Sequence, residues 1–402
     1  MKNRMAAVLA ATLLAACGER AASIAAAAPA APSAAEVAQL GRRIFFDATL
    51  SASGKMACAT CHDPRHAYAP DNGLAAQLGG EHLDLPGLRA VPSLRYALNR
   101  TPRWSKQFQA NPLEREIETD SVPTGGLARD GRFNTLHEQA TAPLLAANEM
   151  ANPDAAAIVA KLKRAKYAGE FRRVFGAAVF ERPELAFGKM LDALERFQLD
   201  DASFHPYTSK FDRHLQGKGE LSAAEQRGLS LFVDPKKGNC AACHIASPGA
   251  DGSPPLFTDF TFANLGVPRN PRIAANVDPR HFDLGLCGPE RKDQAATPKY
   301  CGMFKTPTLR NVATRKVFMH NGVLTDLADA VRFYATRETD AGRWYPRKQR
   351  YNDLPPALRG NVDVIDAPMD RAAGDKPALS EAEVRDIVQF LRTLTDADAT
   401  AG

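Results

Sequence analysis

The 402-residue chain has only two tryptophans, no block of like charges and no apolar run of membrane-spanning length. Its longest apolar run, Ala6 to Ala16, is too short to cross a bilayer. Basic residues outnumber acidic ones by only five, and no polybasic stretch concentrates them. That excludes a nucleic-acid surface of the usual basic kind and leaves at most a preference for an acidic partner. Period-2 apolar patterns are scarce, so an all-β architecture is not expected. Cysteine is also sparse, with seven residues in the whole chain, and the positions of those seven are informative.

The N-terminus reads "MKNRMAAVLAATLLAACGER", a basic start followed by the short apolar run. These are signal-peptide proportions. The run ends in "LLAACG", which places Cys17 where a bacterial lipoprotein signal (residues 1–17) is cut and its cysteine lipidated. The plainer alternative is ordinary secretion, with cleavage inside "AAAAPAAPSAA". Both predict export. The first predicts a periplasmic protein held to the outer membrane by a lipid anchor. Residues 18–35 are rich in Ala and Pro and read as a tether.

Four cysteines fall in two copies of Cys-x-x-Cys-His: Cys58, Cys61 and His62, then Cys240, Cys243 and His244. Two thiols within one turn of chain can add to the two vinyl groups of one haem, and the adjacent His can then face the iron. This is the pattern of covalent c-type haem. A zinc site would want its second Cys pair within about twenty residues, and a dithiol redox pair needs no His beside it. The sequence therefore predicts two covalent haems, with His62 and His244 as proximal ligands. Cys287 and Cys301 remain. In an oxidising compartment their natural state is a disulfide, against the alternative of two buried thiols.

The pentapeptides belong to a longer internal repeat. "LGRRIFFDATLS" precedes the first and "QRGLSLFVDPKK" the second, pairing Gly41 with Gly228, Phe45 with Phe232 and Asp47 with Asp234. Ser222 and Glu225 form a capping box before the second copy, as do Ser380 and Glu383 before a C-terminal helix. Helical spacing of apolar residues recurs at 182–198 and 379–394. The predicted fold is mainly α: two cytochrome c-like helical domains, 36–217 and 218–402, each with one covalent haem and long connecting loops.

The stretch "CGMFKTPTLRNVATRKVFMHNGVLTDLADAVRFY", with "RAVPSLRYALNR", "RDGRFNTLHEQA" and "LLAANEM", resembles the di-haem bacterial cytochrome c peroxidases and their relative MauG, which oxidises tryptophans in a partner protein. The resemblance implies that the N-terminal haem meets hydrogen peroxide and the C-terminal haem relays electrons. It places Glu149 as the distal carboxylate that moves a proton during O–O cleavage, with Gln139 and Pro143 lining the same pocket. It places Tyr334 as second ligand of the relay haem, where electron-accepting peroxidases carry Met and MauG carries Tyr; Met303 and Met319 are nearby rivals. His320 matches a family His near that haem. His82 matches the residue that caps the resting peroxidatic iron in standard members.

Two residues depart from the family pattern. Arg129 stands where an aromatic often lies between the haems, leaving Trp104 as a speculative substitute. Ala90 replaces an Asn that binds calcium, so only backbone carbonyls near Arg315 and Val317 remain for that ion. The resemblance implies a peroxidase that reduces hydrogen peroxide with electrons from a small donor protein of the cytochrome c or cupredoxin type. The rivals are MauG-like oxidation of a partner protein's side chains and a non-enzymatic di-haem electron carrier.

Overall fold

A computed structural model describes residues 31–96, 100–106 and 122–399 of the chain. Cys17, the signal segment and residues 18–30 of the tether lie outside these residues. Helices dominate, and the named strands are two antiparallel two-stranded pairs, Leu78–Gly79 with Leu85–Pro86 and Phe262–Ala263 with Phe304–Lys305. Ser33, Ser222 and Ser380 each cap a helix, with Glu36, Glu225 and Glu383 returning the bond to the cap. Each box satisfies backbone N–H groups that a helix start leaves without partners.

Residues Pro32–Gly402 pack as one unit. Inside it, one apolar core draws on residues 37–204 and a second on residues 211–394. The sequence repeat has a direct structural counterpart. The Ala34–Phe45 helix lies against the Pro183–Asp200 helix, and the Ala223–Val233 helix against the Glu381–Arg392 helix. At both crossings the backbones meet at the repeated glycine. A Cβ on Gly41 would sit 1.8 Å from the Ala193 carbonyl oxygen, and one on Gly228 would sit 2.0 Å from that of Asp386. The repeated phenylalanines follow the same plan: Phe45 meets Phe197 edge-on at 5.5 Å, and Phe232 meets Phe390 edge-on at 5.2 Å. Contacts this close fix the direction in which each helix delivers its pentapeptide.

Further contacts tie sequence-distant segments together. Arg310, buried, forms a two-point ion pair with Asp212 at 2.8 and 3.0 Å. Arg95 reaches Asp396 at 3.0 Å, and Asn311 donates to the same carboxylate at 2.7 Å. Buried charges are costly unless paired in this way. Cys287 and Cys301 form a disulfide with Cα atoms 5.0 Å apart.

Candidate functional site

Cys58–Cys61 makes a single helical turn, and Cys240–Ala242 a 3-10 turn. In each, the His backbone N–H donates to the carbonyl of the first Cys, at 2.9 Å for His62 and 2.8 Å for His244. Each imidazole is fixed from behind. Nδ1 of His62 lies 3.0 Å from the Tyr68 carbonyl, and Nδ1 of His244 lies 2.9 Å from the Phe257 carbonyl. A carbonyl on Nδ1 selects the tautomer whose Nε2 lone pair is free for a metal. Burial lowers both imidazole pKa values, that of His62 to about 4. Burial also raises the four thiols, Cys61 to about 11 and the others to about 12. None of the four is in a disulfide.

Both pentapeptides line one continuous cavity of about 650 Å³. At the first, Gln139 and Pro143 come from the Leu136–Leu145 helix, and Glu149 from the turn after it. The Leu78–Pro86 hairpin buttresses that turn: the Gly80 N–H donates to the Glu149 carbonyl at 2.8 Å. A Cβ on Gly79 would lie 2.2 Å from the Asn148 carbonyl oxygen, so only glycine permits this approach. The Glu149 side chain is reachable from the cavity. Surrounding protein still raises its carboxyl pKa through desolvation, with Arg132 opposing and Glu290 reinforcing the rise.

At the second pentapeptide, Tyr334 faces the cavity from the Leu327–Thr336 helix. Burial raises its phenol pKa, with smaller contributions from Cys243 and Cys240. Its hydroxyl has no hydrogen-bond partner among the described residues, which leaves the oxygen available to a ligand. Met319 lines the same cavity. Met303 does not; it packs against the core around the disulfide. His82 sits exposed at the tip of the hairpin and is not among the lining residues. Its side chain does not line the cavity in this conformation, although the turn that carries it is bonded to the Glu149 carbonyl through the Gly80 N–H.

Phe304, His320 and Arg89 also line the cavity. The Phe304 and His320 rings stack at 3.6 Å, nearly parallel at 8°, and the Arg89 guanidinium stands 5.3 Å from the Phe304 centroid. Burial lowers the His320 pKa to about 3, and its Nε2 has no hydrogen-bond partner. Arg129, Arg315 and Lys305 line this region too. Burial lowers their pKa values to about 9, 10 and 8. None of the three forms an ion pair among the described residues, and Nη1 of Arg315 is buried without a partner. Trp104 does not line the cavity; it lies in the disulfide core, 4.0 Å beneath the Arg291 guanidinium.

Three buried cations without counter-ions are costly unless an anion enters the cavity. Haem brings carboxylates, and each pentapeptide brings two free thiols and a preset imidazole. The residues therefore fit two haems in this cavity. Close by, the Ala90 carbonyl accepts from Arg129 at 2.8 Å, and the Val91 carbonyl from Arg315 at 2.5 Å.

The chain is also similar to known proteins. Residues 35–220 match the family described as di-haem cytochrome c peroxidase. The chain is 32% identical over 370 residues to the methylamine utilization protein MauG of Paracoccus denitrificans strain Pd 1222, spanning 90% of this chain and 88% of that protein. It is 29% identical over 320 residues to the cytochrome-c peroxidase IdrP1 of Denitromonas iodatirespirans, spanning 75% of this chain and 72% of the other. The crystal structure of the diheme peroxidase BthA from Burkholderia thailandensis E264 superposes with a TM-score of 0.80 at 41% identity, covering 90% of this chain and 86% of that one. The chain thus belongs to the di-haem cytochrome c peroxidase/MauG family of oxidoreductases.

Proposed function

We propose that this protein reduces hydrogen peroxide to water at an N-terminal haem held by Cys58, Cys61 and His62. Electrons reach it from a C-terminal haem held by Cys240, Cys243 and His244, with Tyr334 as second iron ligand. The observation that carries this reading is one cavity lined by both pentapeptides, with Glu149 near the first and Tyr334 near the second. The two sites sit in domains divided near residue 217. Bound haem supplies the iron chemistry that splits the O–O bond, taking two electrons per peroxide.

The protein's own groups handle protons and position. Glu149 accepts a proton from one peroxide oxygen and returns it to the departing oxygen. A carboxyl held above its ordinary pKa suits both halves of that task. Gln139 and Pro143 shape the space beside it. Tyr68 and Phe257 carbonyls keep His62 and His244 in register. Arg129, Arg315 and Lys305 would pair with the carboxylates of bound haem. Export and lipidation at Cys17 complete the proposal and rest on residues 1–17 of the sequence.

A second reading has its own support. Tyr334 stands where electron-accepting relatives carry Met, and a curated relative of high coverage is named MauG. On that reading the oxidising equivalents pass to side chains of a partner protein. The discriminating experiment mixes the haem-loaded protein with peroxide and a reduced small cytochrome c or cupredoxin. Rapid peroxide-dependent oxidation of the donor is the expected result. Peroxide consumption without donor oxidation supports the MauG-like reading, and no reaction with peroxide supports a plain electron carrier.

A further inference from the structure

Reducing one peroxide to two waters consumes two electrons and two protons. The protons must come from solvent, and Glu149 faces the cavity that haem would fill. A carboxyl at the rim of that cavity can carry them, and Glu290 stands there on a surface loop. It lines the cavity that Glu149 lines, and its side chain is 38% exposed. Its loop runs along the surface: Lys292, Asp293, Ala295 and Ala296 are all exposed.

The placement of Glu290 is built in, not incidental. The loop that carries it is closed by the Cys287–Cys301 disulfide. Beside it, Arg291 is buried, stacks on Trp104 and donates through Nη1 to the Asp130 backbone carbonyl at 2.8 Å. Asp293 holds the same guanidinium through two bonds, at 2.7 and 2.9 Å. Glu290 itself meets Arg132 Nη2 at 3.2 Å, and Arg132 Nη1 donates to the buried Asp130 carboxylate at 2.8 Å. A segment from the second half of the chain is thereby clamped over the pocket formed by the first. The charged groups around Glu290 are Arg132 across the cavity wall, Asp130 behind it, Glu149 within, and Arg291, Lys292 and Asp293 on its own loop. Arg132 sits among three carboxylates, so it can steady either Glu290 or Glu149 as a proton leaves one for the other.

We infer that Glu290, presented by the disulfide-closed loop 287–301, is the solvent-side carboxyl that resupplies Glu149 with protons during peroxide turnover. This rests on the proposed role of Glu149. Glu290 is a positioning and relay group and does not touch the peroxide. A proton enters on Glu290 from water, crosses the cavity through water to Glu149, and leaves in product water.

The test uses the full haem-loaded chain under steady peroxide turnover with a reduced cytochrome c donor. Wild type, Glu290→Gln, Glu290→Asp and Glu149→Gln are compared in H2O and D2O, with and without added formate as a small proton carrier. Glu290→Gln is expected to slow turnover roughly tenfold or more, to enlarge the solvent isotope effect and to recover with formate. Glu290→Asp should retain much of the rate. Glu149→Gln should be slow and should not recover. A slow Glu149→Gln beside a Glu290→Gln of wild-type rate and isotope effect overturns the relay alone. A slow Glu290→Gln that formate does not restore also overturns it, by assigning Glu290 a structural role. Wild-type rates in both Gln variants overturn the Glu149 reading beneath it.

Discussion

Gly41→Ala tests the construction of the first haem chamber with a single methyl group. The added Cβ would stand 1.8 Å from the Ala193 carbonyl oxygen and 2.8 Å from the Phe197 Cβ, where ordinary contact begins near 3.4 Å. The obstacle is helix backbone, which cannot rotate aside, so the two helices must part by about 1.6 Å along that line. Overpacking of this kind costs about 1–3 kcal/mol and sometimes more. Against it stands about 1 kcal/mol from replacing glycine by alanine in a helix interior. A net loss of up to about 2 kcal/mol is expected, with a shifted haem absorption band because the same helix leads towards Cys58. Gly228→Ala should behave alike, since its Cβ would lie 2.0 Å from the Asp386 carbonyl oxygen. Gly188→Ala is the control. It lies in the Pro183–Asp200 helix with nothing within 4 Å of its added Cβ, and should leave stability equal or higher by up to about 1 kcal/mol. Denaturant unfolding of the haem-loaded proteins measures all three. Gly41→Ala as stable as Gly188→Ala would refute the close helix crossing.

Three further outcomes are expected. Tyr334→Phe should alter the ferric spectrum of the C-terminal haem and raise its potential, because an anionic oxygen ligand is lost; an unchanged spectrum would move the ligand to Met319, the rival that lines the cavity. Dialysis against a chelator should leave spectrum and activity unchanged, and metal analysis should find iron without calcium, since Ala90 stands where the family's calcium-binding Asn would be; one tightly held calcium per chain would contradict this. Mass spectrometry of the mature N-terminus should find lipid on Cys17, and an unmodified chain beginning inside the Ala/Pro stretch would refute the anchor while leaving export intact.

Much of this was legible before any coordinates. Capping boxes and helical spacing are local, so Ser222, Ser380 and the helices they start could be read from the sequence. The repeat paired Gly41 with Gly228 and Phe45 with Phe232 without revealing why; the reason is a backbone contact with residues some 150 positions further along, which no local pattern contains. The disulfide followed from counting cysteines. The Phe304–His320 stack was hidden because nothing local says that two aromatic rings sixteen residues apart will lie face to face. Lys305 and Arg315 look like ordinary surface cations in sequence, and only burial without a counter-ion marks them. Trp104 illustrates the opposite error: scarcity drew attention to it, and packing placed it away from the cavity. His82 has its place in the motif, and its side chain is exposed in the hairpin turn and does not line the cavity.

The central claim is that Glu149 works on peroxide beside a haem held by His62. Stopped-flow mixing of the ferric protein with hydrogen peroxide tests it most directly, read at the haem absorption band in wild type, Glu149→Gln and His82→Ala. The account predicts a fast spectral change in wild type without prior reduction, the same rate in His82→Ala, and a rate roughly a hundredfold lower in Glu149→Gln. Equal rates in wild type and Glu149→Gln would contradict it, and a large acceleration in His82→Ala would show that the hairpin closes over the iron at rest.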